Sequence, residues 1–496
     1  MENQKDKDHL KDSGKPSKDN LKDKTAKGLF WGGLSVGFQQ LLGLGFGIIL
    51  GRLLTPDEYG MIAMISVFSL IANRLQNSGF STALANIRQP EHRDYNAVFW
   101  FNILMGAALY LLLYACAPLI AGYYGRPELL SFSRYAFLGF IFSCLGTAQS
   151  AYLFKNMMVK QQAKAGMTAV VVSSTVAVFM ACNGYSYWSL ATQTNVYIGL
   201  NTLLLWHYSS WRPSLHIDFR PIRGMIGFSY KLLVSAIIND INLNILNIIL
   251  GRRFSAHAAG TYNQAYQWNS KCFYLLQGML SQVSQPVMVS AADDVERQQR
   301  ILRKLIRFTA FLSFPLLFGF GMVAQEFILV TIKDRWIESV PLMQLLSLSG
   351  AFLPLATVLQ NVVLSRGCSG IYMGCTTVLG ACQIILVLAL SPWGIRVMVA
   401  GFVVLNIVWV FVWQAFTWRL TGYTLAKFLA DIMPFALAAA GVMLFTWYVT
   451  LGVSHLLLLL LIRILTAAVL YWIVMKLSRA VILDECMEFV RKKLGK

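Results

Sequence analysis

Beyond residue 28 the chain is a succession of apolar stretches, parted by short polar connections, that continues to residue 475. Each stretch is about 20 residues long, which as a helix crosses a hydrocarbon layer ~30 Å thick. In lipid every backbone polar group must be satisfied internally, so helices or closed barrels are the choices, and stretches this long and uniformly apolar are helices. The pattern predicts an all-α polytopic membrane protein of about fourteen transmembrane helices, at 29–50, 61–81, 97–121, 135–154, 166–182, 187–206, 226–250, 261–289, 308–332, 341–364, 371–391, 396–416, 429–450 and 455–475. Two spans depart from the pattern. The eighth, "TYNQAYQWNSKCFYLLQGMLSQVSQPVMV", is too polar to face lipid, and the second is interrupted by "NRLQNSG".

The pentapeptide "IILGR" stands at 48–52 and again at 248–252. At an ungapped offset of 200, Ser35 falls on Ser235, Gln39 on Asn239, Gln40 on Asp240 and Gly60 on Gly260. Polar residues thus recur at matching depths, where chance favours apolar ones. Six predicted spans separate the copies, and an even number makes the repeats parallel, related by an axis along the membrane normal. The expected organisation is a charged cytoplasmic tail (1–28), an N-terminal six-helix lobe (29–207), a cytoplasmic inter-lobe loop (208–225), a C-terminal six-helix lobe (226–417), two additional helices (418–475) and a cytoplasmic tail (476–496). Two such bundles across a central cleft suit transport by rocking.

Composition agrees, with 56% of residues hydrophobic and 13% charged, against roughly 45–50% and 25% in a soluble domain. The formal charge of +19 does not point to nucleic acid. Basic residues gather in connections such as "KNMMVKQQAK" (155–164) and "RQQRILRKLIR" (297–307), whereas "NGYSY" (183–187) has none. That alternation follows the positive-inside rule and predicts that both termini are cytoplasmic. Residues 1–27 hold eight Lys and six acids, the composition of a solvated tail; no small-residue cleavage site follows the first apolar run, so a signal peptide is not expected. The eight cysteines are scattered, without the Cys or His spacing of a metal site. No GxxxxGK[ST] loop is present to cradle ATP phosphates. Neither a metal nor a cofactor is expected.

An ionisable residue at mid-membrane costs from about 2.5 kcal/mol upward and normally faces a cavity or a partner. Arg74 falls in predicted span 2, Lys231 and Asp240 in span 7, and Lys271 in span 8. Spans 2 and 8 hold corresponding places in the two halves, so Arg74 and Lys271 are expected to face each other across the cleft. Lys231, Ser235, Asn239 and Asn242 form one face of span 7, and Asp240, Asn244 and Asn247 another. One face is expected to line the cavity with Gln39 of span 1, and the other to pack on helices through hydrogen bonds. Lys231 equally fits an anchor snorkelling to the inner interface, and Asp240 fits either an ion-coupling site or a partner for a basic neighbour. Arg52 and Arg252 open matching outer loops and are candidates for a gate. Arg463, outside the repeat, is expected to be structural, and Glu326 to be interfacial. Three cations and one acid in the core leave a positive lumen, which selects anions such as phosphate or diphosphate; arginine favours planar, bidentate oxygen ligands.

The stretch "GLFWGGLSVGFQQ…IILGRLLTPDEYGMIAM" (28–64) resembles the opening of bacterial polysaccharide-export flippases, the Wzx group of the multidrug/oligosaccharidyl-lipid/polysaccharide exporter superfamily, most of all its colanic-acid and teichuronic-acid branch. "NSGFSTALANIRQ" (77–89), "SFPLLFGFG" (313–321) and "DRWIESVPLMQLLSLSG" (334–350) continue the likeness. The resemblance implies two six-helix lobes plus two helices, alternating access, and a cargo of undecaprenyl-diphosphate-linked oligosaccharide, a lipopolysaccharide or exopolysaccharide repeat unit. That cargo would move from the inner to the outer leaflet of the bacterial cytoplasmic membrane. Peptidoglycan-precursor flippases of the superfamily carry a basic residue before a "GAFS"-like stretch in span 2, a position that Arg74 matches with a different spacer. The diphosphate is then expected on Arg74, Lys271 and Lys231. The implied surroundings are membrane lipids, a polysaccharide polymerase and glycosyltransferases. A multidrug or cation antiporter of the same superfamily should favour acids in its cavity, and a membrane polymerase or ligase should carry a large catalytic outer loop. The chain has neither feature, and no enzyme activity is expected.

Overall fold

The computed structural model describes residues 18–76, 84, 90–220, 237–238, 240–242, 244–291, 294–478, 480, 482–485 and 487–488. The side chains of 18–30, 74–76, 275, 279, 281–283 and 285–286 are outside that description. In chain order the helices are α1 (Lys18–Leu53), α2 (Pro56–Gln76), α3 (His92–Tyr124), α4 (Glu128–Ala136), α5 (Gly139–Cys144), α6 (Thr147–Lys155), α7 (Val159–Cys182) and α8 (Trp188–Tyr208). There follow α9 (244–253), α10 (Ala256–Ser290), α11 (Val295–Met322), α12 (Ala324–Thr331), α13 (Ser339–Ser365), α14 (Ser369–Leu390), α15 (Ile395–Thr421), α16 (Leu425–Val449) and α17 (Leu456–Leu477). Nine helices among the described residues are long and apolar enough to cross a membrane, or ten if a bent pair counts as one span. The protein is therefore an all-α, multi-pass membrane protein. α2, α8 and α10 are of spanning length but are not among these nine.

Local chemistry sets the helix ends. α3 begins in a capping box between Glu91 and Asp94 and stops at Gly125, whose φ of 66° a glycine adopts without a Cβ clash. The side chains of Ser255, Asp294 and Thr424 accept from orphan backbone N–H groups at the starts of α10, α11 and α16. Two predicted spans are not single helices. The fourth is broken into α4–α5 and α6 with a bend of 40°. The ninth divides at Val323, where α11 gives way to α12. Hydropathy runs through both breaks, because a backbone bend leaves apolar composition unchanged. Most of the seventh predicted span (226–250) lies outside the described residues.

The chain divides into two compact units, Met1–Leu50 with Phe68–Leu233, and Gly51–Val67 with Val234–Lys496. α2 thus passes from the second unit into the first. In the first unit, α7 lies along α8, and α3 packs on α4, α5 and α6. The described part of the inter-lobe loop is extended at 209–214 and is held across the start of α3 by its own backbone. The Trp100 indole donates to Ser214 O at 2.7 Å, Ser214 N donates to Asn96 Oδ1 at 2.9 Å, and Asn96 Nδ2 donates to His216 O at 2.5 Å.

In the second unit α13 is the central helix, packed on α10, α11 and α15. Lipid tails are as apolar as leucine, so helix association in a membrane rests on close packing and interhelical hydrogen bonds. The α10–α13 seam shows both. Asn269 Nδ2 donates to Ser347 Oγ at 2.7 Å, Asn361 Nδ2 donates to Ser284 Oγ at 2.5 Å, and a Cβ on Gly350 would come within 2.9 Å of Asn269 Oδ1. The polar residues that made the eighth span unlike its neighbours in the sequence are thus partly spent on α13.

Candidate substrate site

Lys271, the one diphosphate-binding candidate cation whose side chain is described, sits midway along α10 and is half-buried. Its ammonium lies 4.2 Å from the centroid of the Trp268 ring, one turn earlier, within cation–π range. Trp268 is itself buried and meets Phe327 edge-on at 5.0 Å. No acid occurs anywhere in Ala256–Ser290. Thr261 Oγ1, Tyr262 OH and Trp268 Nε1 on the same helix are buried without a hydrogen-bond partner among the described residues. α10 therefore carries one half-buried cation over an aromatic ring and no acid, the sign of charge that suits an anionic ligand.

The other candidates divide. Arg74 belongs to α2, but its side chain is outside the described residues, as are Lys231, Ser235 and Asn239 entirely. Gln39 is half-buried in the first unit; its amide donates to Ser35 Oγ at 2.9 Å and lies over Gly166 of α7, where a Cβ would come within 3.1 Å. Asn242 is buried against α14: its amide donates to Thr376 O at 2.9 Å, and a Cβ on Gly380 would overlap its Oδ1. Asp240 is buried, and its backbone carbonyl accepts from Asn244 Nδ2 at 3.0 Å. Arg52 donates to Thr331 O at 2.5 Å and Val330 O at 2.8 Å, satisfying the open carbonyls at the end of α12. Arg252 is exposed.

Glu326, expected near the interface, is buried within the protein and accepts from Arg463 Nη1 at 2.6 Å, while Arg463 Nε donates to Thr450 Oγ1 at 3.0 Å. Arg463, expected to be structural, is buried in this pair, and its partner stands 137 positions away in sequence. A second cluster escaped the sequence reading. Asp431 accepts from Arg303 Nε at 2.8 Å, Arg307 Nε at 2.6 Å and Tyr423 OH at 2.9 Å. Burial, with the Asp431 charge beside it, pushes the Tyr423 phenol above its ordinary range and keeps it a donor. The i, i+4 spacing of Arg303 and Arg307 signalled a shared face, but nothing local marked the acid they share.

Gly60 and Gly260, matched by the repeat, meet in space. A Cβ on Gly60 would overlap the carbonyl of Ala256, and one on Gly260 would overlap the carbonyl of Pro56. The two collisions exchange under the same offset of 200, so α2 and α10 cross backbone to backbone about the relation that the sequence repeat describes.

Fold and site define a class: a multi-pass helical membrane protein whose polar interior carries cationic rather than acidic groups on α10. A family model for "Polysaccharide biosynthesis protein" matches residues 49–341, and the chain belongs to that family. The chain is 26% identical over 326 residues to the teichuronic acid biosynthesis protein TuaB of Bacillus subtilis (strain 168), covering 64% of this chain and 66% of that protein, just under two thirds of its length. It is 23% identical over 352 residues to the lipopolysaccharide biosynthesis protein WzxC of Escherichia coli (strain K12), covering 70% of this chain and 71% of that one. To the succinoglycan biosynthesis transport protein ExoT of Rhizobium meliloti (strain 1021) it is 25% identical over 390 residues, 78% of this chain and 76% of that one. The solved lipid II flippase MurJ, in an inward closed conformation, superposes with a TM-score of 0.72 at 14% identity, covering 91% of this chain and 99% of that one. An inward-facing multidrug resistance MATE family transporter of the MOP superfamily gives a TM-score of 0.63 at 14% identity, covering 77% and 95%. These likenesses establish an all-α, multi-pass membrane fold of the kind that the resemblance of residues 28–64 implies.

Proposed function

We propose that this protein is a flippase that moves a lipid-linked oligosaccharide, carried on undecaprenyl diphosphate, from the inner to the outer leaflet of the bacterial cytoplasmic membrane by alternating access. It is a transporter rather than an enzyme. The observation that carries the reading is α10: a polar helix inside a membrane fold, with Lys271 beside Trp268 and no acid along its length. A cation exporter needs the opposite charge at that place. Family membership and the transport protein among the relatives support a polysaccharide cargo.

The diphosphate is held by Lys271 together with Arg74 and Lys231, and the polar residues Gln39, Ser235, Asn239 and Asn242 belong to the lining or to its support. The N-terminal lobe (29–207) and C-terminal lobe (226–417) rock about this site, and both termini lie in the cytoplasm. The cargo comes from glycosyltransferases and passes to a polymerase. The test is export in cells and flipping of lipid-linked oligosaccharide in reconstituted vesicles. Arg74→Glu and Lys271→Glu each reverse a charge facing the diphosphate, and each should abolish transport with the protein still in the membrane. Arg74→Lys should retain part of the activity, because it keeps the charge and loses the bidentate fork. Normal export by both charge-reversed variants would overturn the cationic site.

A further inference from the structure

Where α2 and α10 cross, a single imidazole touches two acids. His257, in the first turn of α10, has Nδ1 3.3 Å from Asp57 Oδ2 in the first turn of α2 and Nε2 3.0 Å from Glu338 Oε2, directly before α13. The three side chains are 40%, 53% and 67% exposed, each at or beside the start of its helix. A neutral imidazole has one N–H, and its other nitrogen presents a lone pair; the imidazolium donates from both. Only the charged ring satisfies both carboxylates, and a neutral ring sets a lone pair against one of them.

Other charged side chains stand around the ring. On α2, Glu58 turns back to accept from Thr55 N at 2.5 Å and Thr55 Oγ1 at 2.9 Å. Arg52, before α2, is committed to the carbonyls of Val330 and Thr331. Before α10 stand the exposed Arg252 and Arg253, and α10 carries no other charged side chain until Lys271. On the α13 side, Asp334 caps its own turn by accepting from Arg335 N at 3.1 Å. The starts of α2 and α13 favour negative charge on Asp57 and Glu338, whereas the start of α10 opposes a charge on His257 unless those acids offset it. Beside the ring, Gly60 and Gly260 allow the two backbones to touch, so a small separation of the helices ends both contacts.

We propose that Asp57, His257 and Glu338 form a proton-operated latch, which holds the α2–α10 crossing closed while the ring is charged and releases it when the ring is neutral. Histidine is the side chain suited to a charge switch near physiological pH. The latch deepens the flippase reading, since the crossing belongs to helices that must move in alternating access, but it can be measured without any cargo.

The test is hydrogen exchange of the purified full-length protein in lipid nanodiscs at about pH 6 and about pH 8, either side of the imidazole range, with rates corrected for intrinsic pH dependence. Segments 55–65 and 256–265 should exchange several-fold faster at the higher pH, while α15 serves as the unchanged reference. His257→Lys, a fixed cation, should keep both segments protected at both pH values. His257→Gln should remove the pH dependence, and Asp57→Asn or Glu338→Gln should weaken it. Equal corrected exchange in the unaltered protein at the two pH values would overturn the latch, as would a full pH response in His257→Lys and His257→Gln. A normal α15 reference shows that a variant is folded, and the unaltered protein decides the question on its own if one is not. Transport failing while exchange behaves as described would refute the flippase and leave the latch standing.

Discussion

A charge buried in a membrane protein is informative through its partner. Arg463 and Glu326 are 5% and 6% exposed, 2.6 Å apart, and Glu326 Oε2 has no further hydrogen-bond partner among the described residues. Removing one member of such a pair leaves the other desolvated and unpaired, a cost of about 3–5 kcal/mol, whereas replacing both by apolar side chains is often neutral. Arg463→Met alone should therefore lower the thermal unfolding midpoint in detergent sharply, and the double variant with Glu326→Met should recover most of it. A double variant as unstable as the single one would show that the pair does not act as a unit. Arg463 stood out in the sequence as a charge outside the repeat; its pairing with Glu326 was not legible, because depth along a span says nothing of a partner 137 residues away. Asp240 poses the reverse problem. The repeat singles it out, since Gln40 holds its place in the first half, and it is buried. As a proposal, it couples transport to protons, and Asp240→Asn keeps the shape while removing titration. That variant should bind cargo yet lose dependence on an imposed pH gradient in vesicles; unchanged gradient dependence would make Asp240 an ion-pair partner only.

At the scale of elements, the sequence repeat matched Gly60 to Gly260 without saying why either is glycine. The crossing supplies the reason, because on each helix a Cβ would enter the backbone carbonyl of the other. Backbone cannot swing aside as a side chain does, so α2 and α10 must separate to admit a methyl group. Overpacking of a tight contact costs typically about 1–3 kcal/mol. Gly60→Ala and Gly260→Ala should each destabilise by at least that much in thermal unfolding, while Gly45→Ala, with open space around its Cβ position, should be neutral or gain the helix preference of alanine. Equal stability of all three would mean the crossing is looser than drawn. Helix positions were legible because apolar length is written directly in composition, and α7, α13, α14, α15 and α17 lie on predicted spans. The breaks at 144–147 and at Val323 were not, since no apolar residue is lost there. Nor was the use of the polar residues of α10, because the sequence shows Asn269 and Ser284 without showing Ser347 and Asn361 opposite them.

For the whole molecule, what the sequence made plain was class and family: apolar length requires membrane helices, and residues 28–64 carry a likeness that the family model, matching 49–341, bears out. The proposed cationic site was legible only in outline, since the residue types state the charge but leave open which side chains converge; the side chain of Lys271 is described, while those of Arg74 and Lys231 lie outside the described residues. Orientation rests on the positive-inside rule, and the obvious exceptions to it are the basic residues beside the repeated "IILGR". Arg52 is explained without a cytoplasmic location, because its guanidinium is bound to the carbonyls ending α12; that arginine is a cap, not an orientation signal. With it set aside, residues 51–60 and 251–260 are expected outside and 291–307 inside. Phe254→Cys is a suitable reporter, since Phe254 is exposed and, unlike Ser255, caps no helix. In a cysteine-free background it should react in intact cells with a membrane-impermeant maleimide, and Arg297→Cys should react only after the cells are opened. Because the first two segments are related by an offset of 200 and, on the predicted spans, by an even number of crossings, Leu53→Cys, also exposed, should label from the same side as Phe254→Cys. Labelling of those two positions from opposite sides would make the repeats inverted rather than parallel, and the rocking of two equivalent lobes would fail with it.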